Sequence, residues 1–303
     1  MSGIDVSIRM ATKNGGRFLA QQLASLLGQE GVSWDLTVSD DGSTDATKAM
    51  LERFAQGRSV AVMGGPQRGF ARNFQALAAL PLHARHLAFC DQDDVWASEK
   101  LLRAVRALQP VPRDTPALYC GRTVLVDDAL KPLGCSPLFA RKPGFANALV
   151  QSIAGGNTMV LNPAAADLMA RHARAEVVSH DWWAYQLVSG AGGVVFYDPQ
   201  PWVFYRQHGD NVSGANLGGR AGWVRAQAVL AGRYRRWLDI QSKALRGAEG
   251  DLTPQSLRLL DRFDAARARS GWACAFELAS SGIYRQRLAG QASLLGAALV
   301  AAL

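Results

Sequence analysis

Acidic residues gather at two places in this chain where they could work together. Asp40 and Asp41 follow an apolar run at residues 34–38, and Asp91, Asp93 and Asp94 follow another at 87–90. Carboxylates crowded into one pocket raise one another's pKa unless a cation lies between them. A hard divalent ion, Mg2+ or Mn2+, held by one or two carboxylates and completed by phosphate oxygens and water, resolves that conflict and implies a diphosphate ligand. Either cluster alone reads first as a turn, because Asp-Gly-Ser and Asp-Asp side chains bond their own backbone. Their shared placement after strand-like runs argues for one pocket. Asp127 and Asp128 have similar surroundings and are read as a solvated turn.

The elements that must position these acids follow from periodicity. Val6, Ile8 and Met10 alternate as in a strand, whereas Phe18, Leu19, Leu23, Leu26 and Leu27 share one face at helical spacing. Strands at 6–10, 34–38, 60–63 and 87–90, separated by helices after 18, at 45–54 and at 69–80, predict an α/β fold with a mostly parallel central sheet flanked by helices. In such a sheet the carboxyl ends of the strands line the ligand crevice, which is where both acidic clusters fall. After Pro110 the pattern changes. A strand at 117–126 is interrupted at Gly121, residues 131–150 read as a long loop over the front of the sheet, and a short strand spans 152–161. Helices follow at 163–172 and 181–188, then strands at 193–197 and 202–206. A glycine-rich hinge at 214–219 leads into helices at 223–240, 253–269 and 272–287 and an apolar end at 292–303. Residues 1–215 are therefore expected to form one domain, with halves at 1–115 and 116–215 that meet where the pattern changes. Residues 216–303 form a basic helical extension.

Composition narrows the class. With 303 residues, 49% hydrophobic and 19% charged, the chain can build one normal core and is no disordered tail. Four cysteines without CxxC spacing give neither a disulfide framework nor a zinc signature. The early alternation is not a secretory leader, and no uncharged apolar run reaches 18 residues, so a cytoplasmic protein without a spanning helix is expected. The net charge of +8 is concentrated in residues 216–303, which carry +7. That balance attracts polyanions such as anionic lipid or nucleotide-linked substrates. Neither GxGxxG nor GxxxxGK[ST] occurs, which argues against dinucleotide and P-loop folds.

Three segments then become recognisable: Val6-Ser7-Ile8-Arg9-Met10-Ala11-Thr12-Lys13-Asn14-Gly15, Ser39-Asp40-Asp41-Gly42-Ser43-Thr44-Asp45 and Phe89-Cys90-Asp91-Gln92-Asp93-Asp94-Val95-Trp96. In this order they resemble the family 2 glycosyltransferases. Gly69-Phe70-Ala71-Arg72-Asn73-Phe74, His180-Asp181-Trp182-Trp183 and the stretch from Tyr205 to Asn211 are similar to rhamnosyltransferase-type members of bacterial surface-polysaccharide pathways. The resemblance covers residues 4–213 and implies that 1–215 is the catalytic domain, with a nucleotide-sugar-binding half at 1–115 and an acceptor-side half at 116–215. It implies a GT-A fold, a nucleotide-diphosphate sugar donor (dTDP-L-rhamnose for the narrower group), a divalent metal and inversion at the anomeric carbon. Carried over by position, Asp41 meets the base or ribose, with Ala11 and Thr12 lining that pocket and Asn14 and Gln92 in the same loops. Asp91 meets ribose or metal, Asp93 is the main metal ligand, and His208 lies near the diphosphate, also as a ligand. Asp181 matches the catalytic base. Many members carry Tyr where this chain has Lys13, which changes how a base would be held.

The residues fit this chemistry independently. A carboxylate within reach of an acceptor hydroxyl can take its proton as the new bond forms. Asp181 opens a helix, where backbone N–H groups favour its charged form. Arg206 and His208 fall on one side of an alternating strand and are expected to face the diphosphate, while Trp182 and Trp183 are either core residues or a face for a sugar ring. The acceptor implied is a saccharide or lipid-linked saccharide, met on the cytoplasmic face of the inner membrane with peripheral contact through the basic helices. Two other classes compete. A nucleotidyltransferase also uses carboxylates and metal, but residues 12–17 are a faint version of its glycine-rich basic loop. A nucleic-acid-binding protein would use the basic tail, yet the acidic clusters would repel a phosphate backbone, and no nucleic acid is expected.

Overall fold

The computed structural model describes residues 3–208, 232–300 and 302–303. The expected hinge at 214–219, the boundary at 215/216, residues 209–211 and the first part of the helix expected at 223–240 lie outside the described residues. Four strands form one half of the sheet, with β3 an exposed edge: β1 (Val6–Thr12), β2 (Trp34–Asp40), β3 (Val60–Gly64) and β4 (His86–Cys90). All pair in parallel, β1 with β2 and β4, and β2 with β3. Their register sets Thr12 beside Asp40, Asp40 beside Gly64 and Met10 beside Cys90. The loops after all four strands therefore leave one edge together.

The other half is mixed. It contains β5 (Val95–Trp96), β6 (Ala117–Val126), β7 (Pro132–Cys135), β8 (Val160–Leu161) and β9 (Val194–Arg206), and the strand order is β3-β2-β1-β4-β8-β6-β9-β5, with β7 on β6. β6 and β9 run parallel, while β5, β7 and β8 are antiparallel to their neighbours. The interruption expected at Gly121 is a shift of register against β9 inside one continuous strand. The two late strands expected at 193–206 are likewise one long β9. The expected loop at 131–150 contains β7 and the short helix α5 (Phe145–Ala148), and the strand expected at 152–161 shrinks to β8 after a helical turn at Gly156–Thr158.

Helices cover both faces, as the burial of β1 from Val6 to Met10 requires. On one side α1 (Leu19–Leu27), α2 (Thr47–Ala55) and α4 (Lys100–Leu108) pack Leu23, Leu51 and Leu101 against Ile8 and Val38. On the other lie α3 (Phe70–Ala78), α6 (Pro163–Arg171) and α7 (His180–Gly190), joined by α8 (Arg233–Arg246), α9 (Pro254–Arg267), α10 (Gly271–Ser280) and α11 (Leu288–Leu299). Phe145, Trp182 and Leu187 share one apolar cluster with Leu238, Leu245, Phe263, Leu278 and Leu294, so the tail helices complete the core. Thr253 caps α9: its Oγ1 accepts from Ser256 N–H at 3.1 Å, and Pro254 follows at the first helical position. The helix expected at 272–287 stops at Ser280, because Gly282 turns the chain with φ 80°. Arg9, in the middle of β1, caps α3 from below. Its buried guanidinium donates to the carbonyls of Leu77, Leu80 and Pro81, at and just past the end of the helix.

Candidate active site

The loops leaving the parallel edge are tied to one another by the polar residues that mark them in sequence. Asp40 accepts from Ser43 N–H at 2.9 Å and Thr12 Oγ1 at 3.1 Å. Asp41 accepts from Gln67 N–H at 2.6 Å and Gly69 N–H at 3.1 Å, which fixes the loop ahead of α3. Asn14 sits in the left-handed region at φ 50°, donates its N–H to Ser43 Oγ at 2.8 Å and accepts from Thr44 N–H at 2.9 Å. Gln92 makes a two-way clasp on Lys13: its Oε1 accepts the backbone N–H at 2.9 Å and its Nε2 donates to the carbonyl at 3.0 Å. A Cβ on Gly15 would come within 2.2 Å of Gln92 Oε1, so only glycine lets that clasp close. Ala11, Thr12, Asn14, Asp41 and Gln92 are thus brought to one rim, with Asp41 already bonded into the loops.

The second acidic cluster lies beside that rim. The Asp91 carboxyl takes no hydrogen bond from any described residue. Burial pushes its carboxyl well above the ordinary range, and Asp94, Asp93 and Asp181 push it the same way. Asp94 is fully buried and also raised by burial and by Asp93, yet it is pinned by Asn157 Nδ2 at 2.6 Å and Arg206 N–H at 3.2 Å. Asp93 Oδ2 lies 2.9 Å from His208 Nε2, and the His208 ring rests 5.1 Å from that of Phe18. Among the described residues no three His, Cys, Asp or Glu side chains are arranged to hold a metal ion. The donor set nevertheless suits a hard cation: two carboxylates and one imidazole, with the half-buried Asp91 carboxyl lacking hydrogen bonds from the described residues that would otherwise stabilise its charge.

Arg206 and His208 do share a side, since both lie against Phe18. Arg206, however, stands behind the site instead of facing a diphosphate. It is fully buried, and its guanidinium donates to Asp93 O at 2.9 Å, to Gln21 Oε1 at 2.6 Å and to Asp128 O. Its planar fork binds the acidic loop, α1 and the 127–128 turn at once. Asp128 also pairs with Arg17 at 2.6 Å, while Asp127 caps its own turn through Ala129 and Lys131 N–H groups.

Asp181 opens α7 as expected and accepts from Trp182 N–H at 2.7 Å. It comes close enough to Asp91 for the two charges to interact, though 90 residues separate them. Trp182 and Trp183 are core residues: Trp182 Nε1 donates to Ala148 O at 2.7 Å and Trp183 is fully buried, so neither offers a face to a sugar. Burial pushes His180 down to about 4. Its ring stacks on Phe74 at 3.9 Å and meets Phe89 edge-on at 4.9 Å, and neither nitrogen has a hydrogen-bond partner. Gly156 makes room for it, since a Cβ there would lie 2.4 Å from Nε2.

Two residues were not singled out by sequence. Tyr205 lies among Asp94, Asp91, Asp93 and Asp181, and burial with those charges holds its phenol protonated. Its place next to Arg206 on an alternating strand was the available signal. Lys100 is buried behind the cluster with its ammonium 3.4 Å from the Trp96 ring centroid, and burial pushes it down to about 7. The amphipathic stretch that carries it gave no hint of that burial.

Similarity in sequence identifies a sugar-transferring enzyme. Residues 7–132 match the glycosyl transferase family 2 model, and the chain is a glycosyltransferase with a GT-A-type fold. It is 28% identical over 243 residues to the dTDP-rhamnosyl transferase RfbG of Shigella flexneri, covering 75% of this chain and 81% of that one. TarS of S. aureus, solved as residues 1–349 with UDP-GlcNAc, superposes with a TM-score of 0.54 at 12% identity, over 96% of this chain and 91% of the other. The mannosyltransferase PcManGT of Pyrobaculum calidifontis, solved with GDP-Man and Mn2+, gives 0.51 at 16% identity, over 100% and 86%. No helix among the described residues is long and apolar enough to cross a membrane.

Proposed function

We propose that this enzyme transfers a sugar, with inversion, from a nucleoside diphosphate to a hydroxyl of a saccharide or lipid-linked saccharide in cell-surface polysaccharide synthesis. The donor proposed is dTDP-L-rhamnose, supported by the similarity to the rhamnosyl transferase and by the stretches 180–183 and 205–211. The observation that carries the reading is the convergence of Asp91, Asp93 and Asp181, from two distant parts of the chain, around Tyr205. Asp181 takes the acceptor proton while the acceptor oxygen bonds the anomeric carbon. The bond from that carbon to the diphosphate breaks, and its electron pair leaves with the nucleotide. Asp91 and Asp93, with His208, would hold Mg2+ or Mn2+, which supplies charge stabilisation to the leaving diphosphate. Ala11, Thr12, Asn14, Asp41 and Gln92 shape the donor side, and Arg206 fixes the acidic loop. The catalytic region proposed is 1–215, with 216–303 as its extension, working on the cytoplasmic face of the inner membrane.

A panel of nucleotide sugars assayed for metal-dependent hydrolysis and transfer tests the donor; turnover of a hexose nucleotide in preference to dTDP-rhamnose refutes that part. Asp181→Asn tests the base. Turnover should fall about 10²–10⁴-fold, the usual contribution of general base catalysis, while donor binding by calorimetry stays near wild type. Wild-type turnover in that variant, or loss of donor binding along with turnover, removes Asp181 from the role.

A further inference from the structure

The charge count points to a basic tail, but the structure spends much of that charge internally. Arg246 bridges Glu249 at 2.9 Å, Asp261 at 2.8 Å and Asp264 at 2.7 Å, Arg262 pairs with Glu277 at 3.3 Å, and Arg267 with Asp239. What the tail presents to solvent at its far end is apolar. Trp272 is 81% exposed, Phe276 74% and Leu288 90%. Trp272 and Phe276 are one turn apart on α10, and the other outward positions of that helix are Ala273, Ala279 and Ser280. α11 contains no charged residue at all. The opposite sides of both helices fill the core through Leu278 and Leu294. Apart from Glu277 both helices are uncharged, and exposed apolar side chains grouped in this way mark a binding face.

We propose that this outward face of α10 and α11 seats the enzyme on an anionic bilayer, with Trp272, Phe276 and Leu288 entering the headgroup region. This deepens the lipid-linked acceptor reading and rests on it for its purpose. Charge selects lipid as the occupant. Arg269 and Arg287 are exposed, have no ion-pair partner among the described residues, and stand just ahead of the two apolar stripes. The carboxylate of α10, Glu277, is already bonded to Arg262. A second copy of the chain would bring arginine against arginine, whereas anionic headgroups supply the missing charge beside an aromatic belt.

Flotation of the full chain with phosphatidylglycerol-containing vesicles tests the face. Wild type should float. Combining Trp272→Ser, Phe276→Ser and Leu288→Ser should weaken partitioning roughly 100-fold, because three apolar side chains no longer leave water. Thermal stability and nucleotide-sugar turnover in solution should not change, since these side chains are exposed. Arg269→Gln with Arg287→Gln should weaken binding at low salt and only for the anionic vesicles. Wild-type flotation by the triple variant, or failure of the wild type to float at low salt, overturns the proposal. So does a dimer in solution that the triple variant converts to monomer, which would make a second copy the occupant. Vesicle binding retained by a protein that turns over no nucleotide sugar would leave this face standing and refute the proposed function instead.

Discussion

His180→Leu should remove a step of acid sensitivity from folding. The imidazole is buried against Phe74 and Phe89, burial holds it at about 4, and neither nitrogen is hydrogen bonded. The unfolded chain takes up that proton at about 6.5. Between the two values the unfolded state binds the proton and the folded state does not, so stability that is full above 6.5 drains away as pH falls toward 4. From neutrality to about pH 5 the loss attributable to this one ring is about 2 kcal/mol. Urea unfolding of wild type and variant at both pH values isolates it, because the titrating carboxylates are common to both. The wild type should lose about 2 kcal/mol more than the variant over that interval. At pH 7 the variant should be as stable or more so, since unpartnered buried polar groups cost about 1–3 kcal/mol each. Equal pH dependence in the two proteins would refute the assignment. A variant markedly less stable at pH 7 would show that the ring has a partner, and the premise would fail.

Asp93→Ala should abolish transfer with the fold intact, because that side chain is partly exposed and among the described residues bonds only His208; activity of the variant, or of wild type in excess chelator, would exclude the metal role. Gly15→Ala should break the Gln92 clasp and weaken donor binding more than it slows bound-state turnover, as single-turnover kinetics would resolve. Arg206→Lys should cost about 3 kcal/mol of stability, the scale of breaking a buried charge network, because an ammonium cannot span three acceptors; an unchanged urea midpoint would contradict the buried placement.

The parallel half of the fold was legible because buried strands and amphipathic helices alternate with strong periods at 6–90, and the acids at strand ends followed from that. The mixed half was less so. β5 and β8 are two residues each, too short to carry a period, and they exist only through pairing with β9, β4 and β6. Site membership was readable where residues adjoin in sequence, and the meeting of Asp181 with Asp91 could be expected from resemblance alone. Arg206 was placed on the correct side of its strand, but alternation says nothing of depth. It took the carbonyls of Asp93 and Asp128 to draw its charge inward. Trp182 and Trp183 were left as core or sugar platform, since sequence does not show what stands in front of a ring.

The single core shared by α7 and the tail helices limits how this enzyme can be recombined. Leu238, Leu245, Phe263 and Leu278 lie in the same apolar cluster as Trp182 and Leu187, and Asn147 Nδ2 reaches Tyr284 O at 2.9 Å across the join. A chimera cut near residue 215 would expose that interior on both pieces. A workable exchange with a relative must carry α5 and α7 along with the tail. The element that presents Asp181 would then travel with the C-terminal helices, and acceptor-side chemistry would be inherited together with the tail as one block.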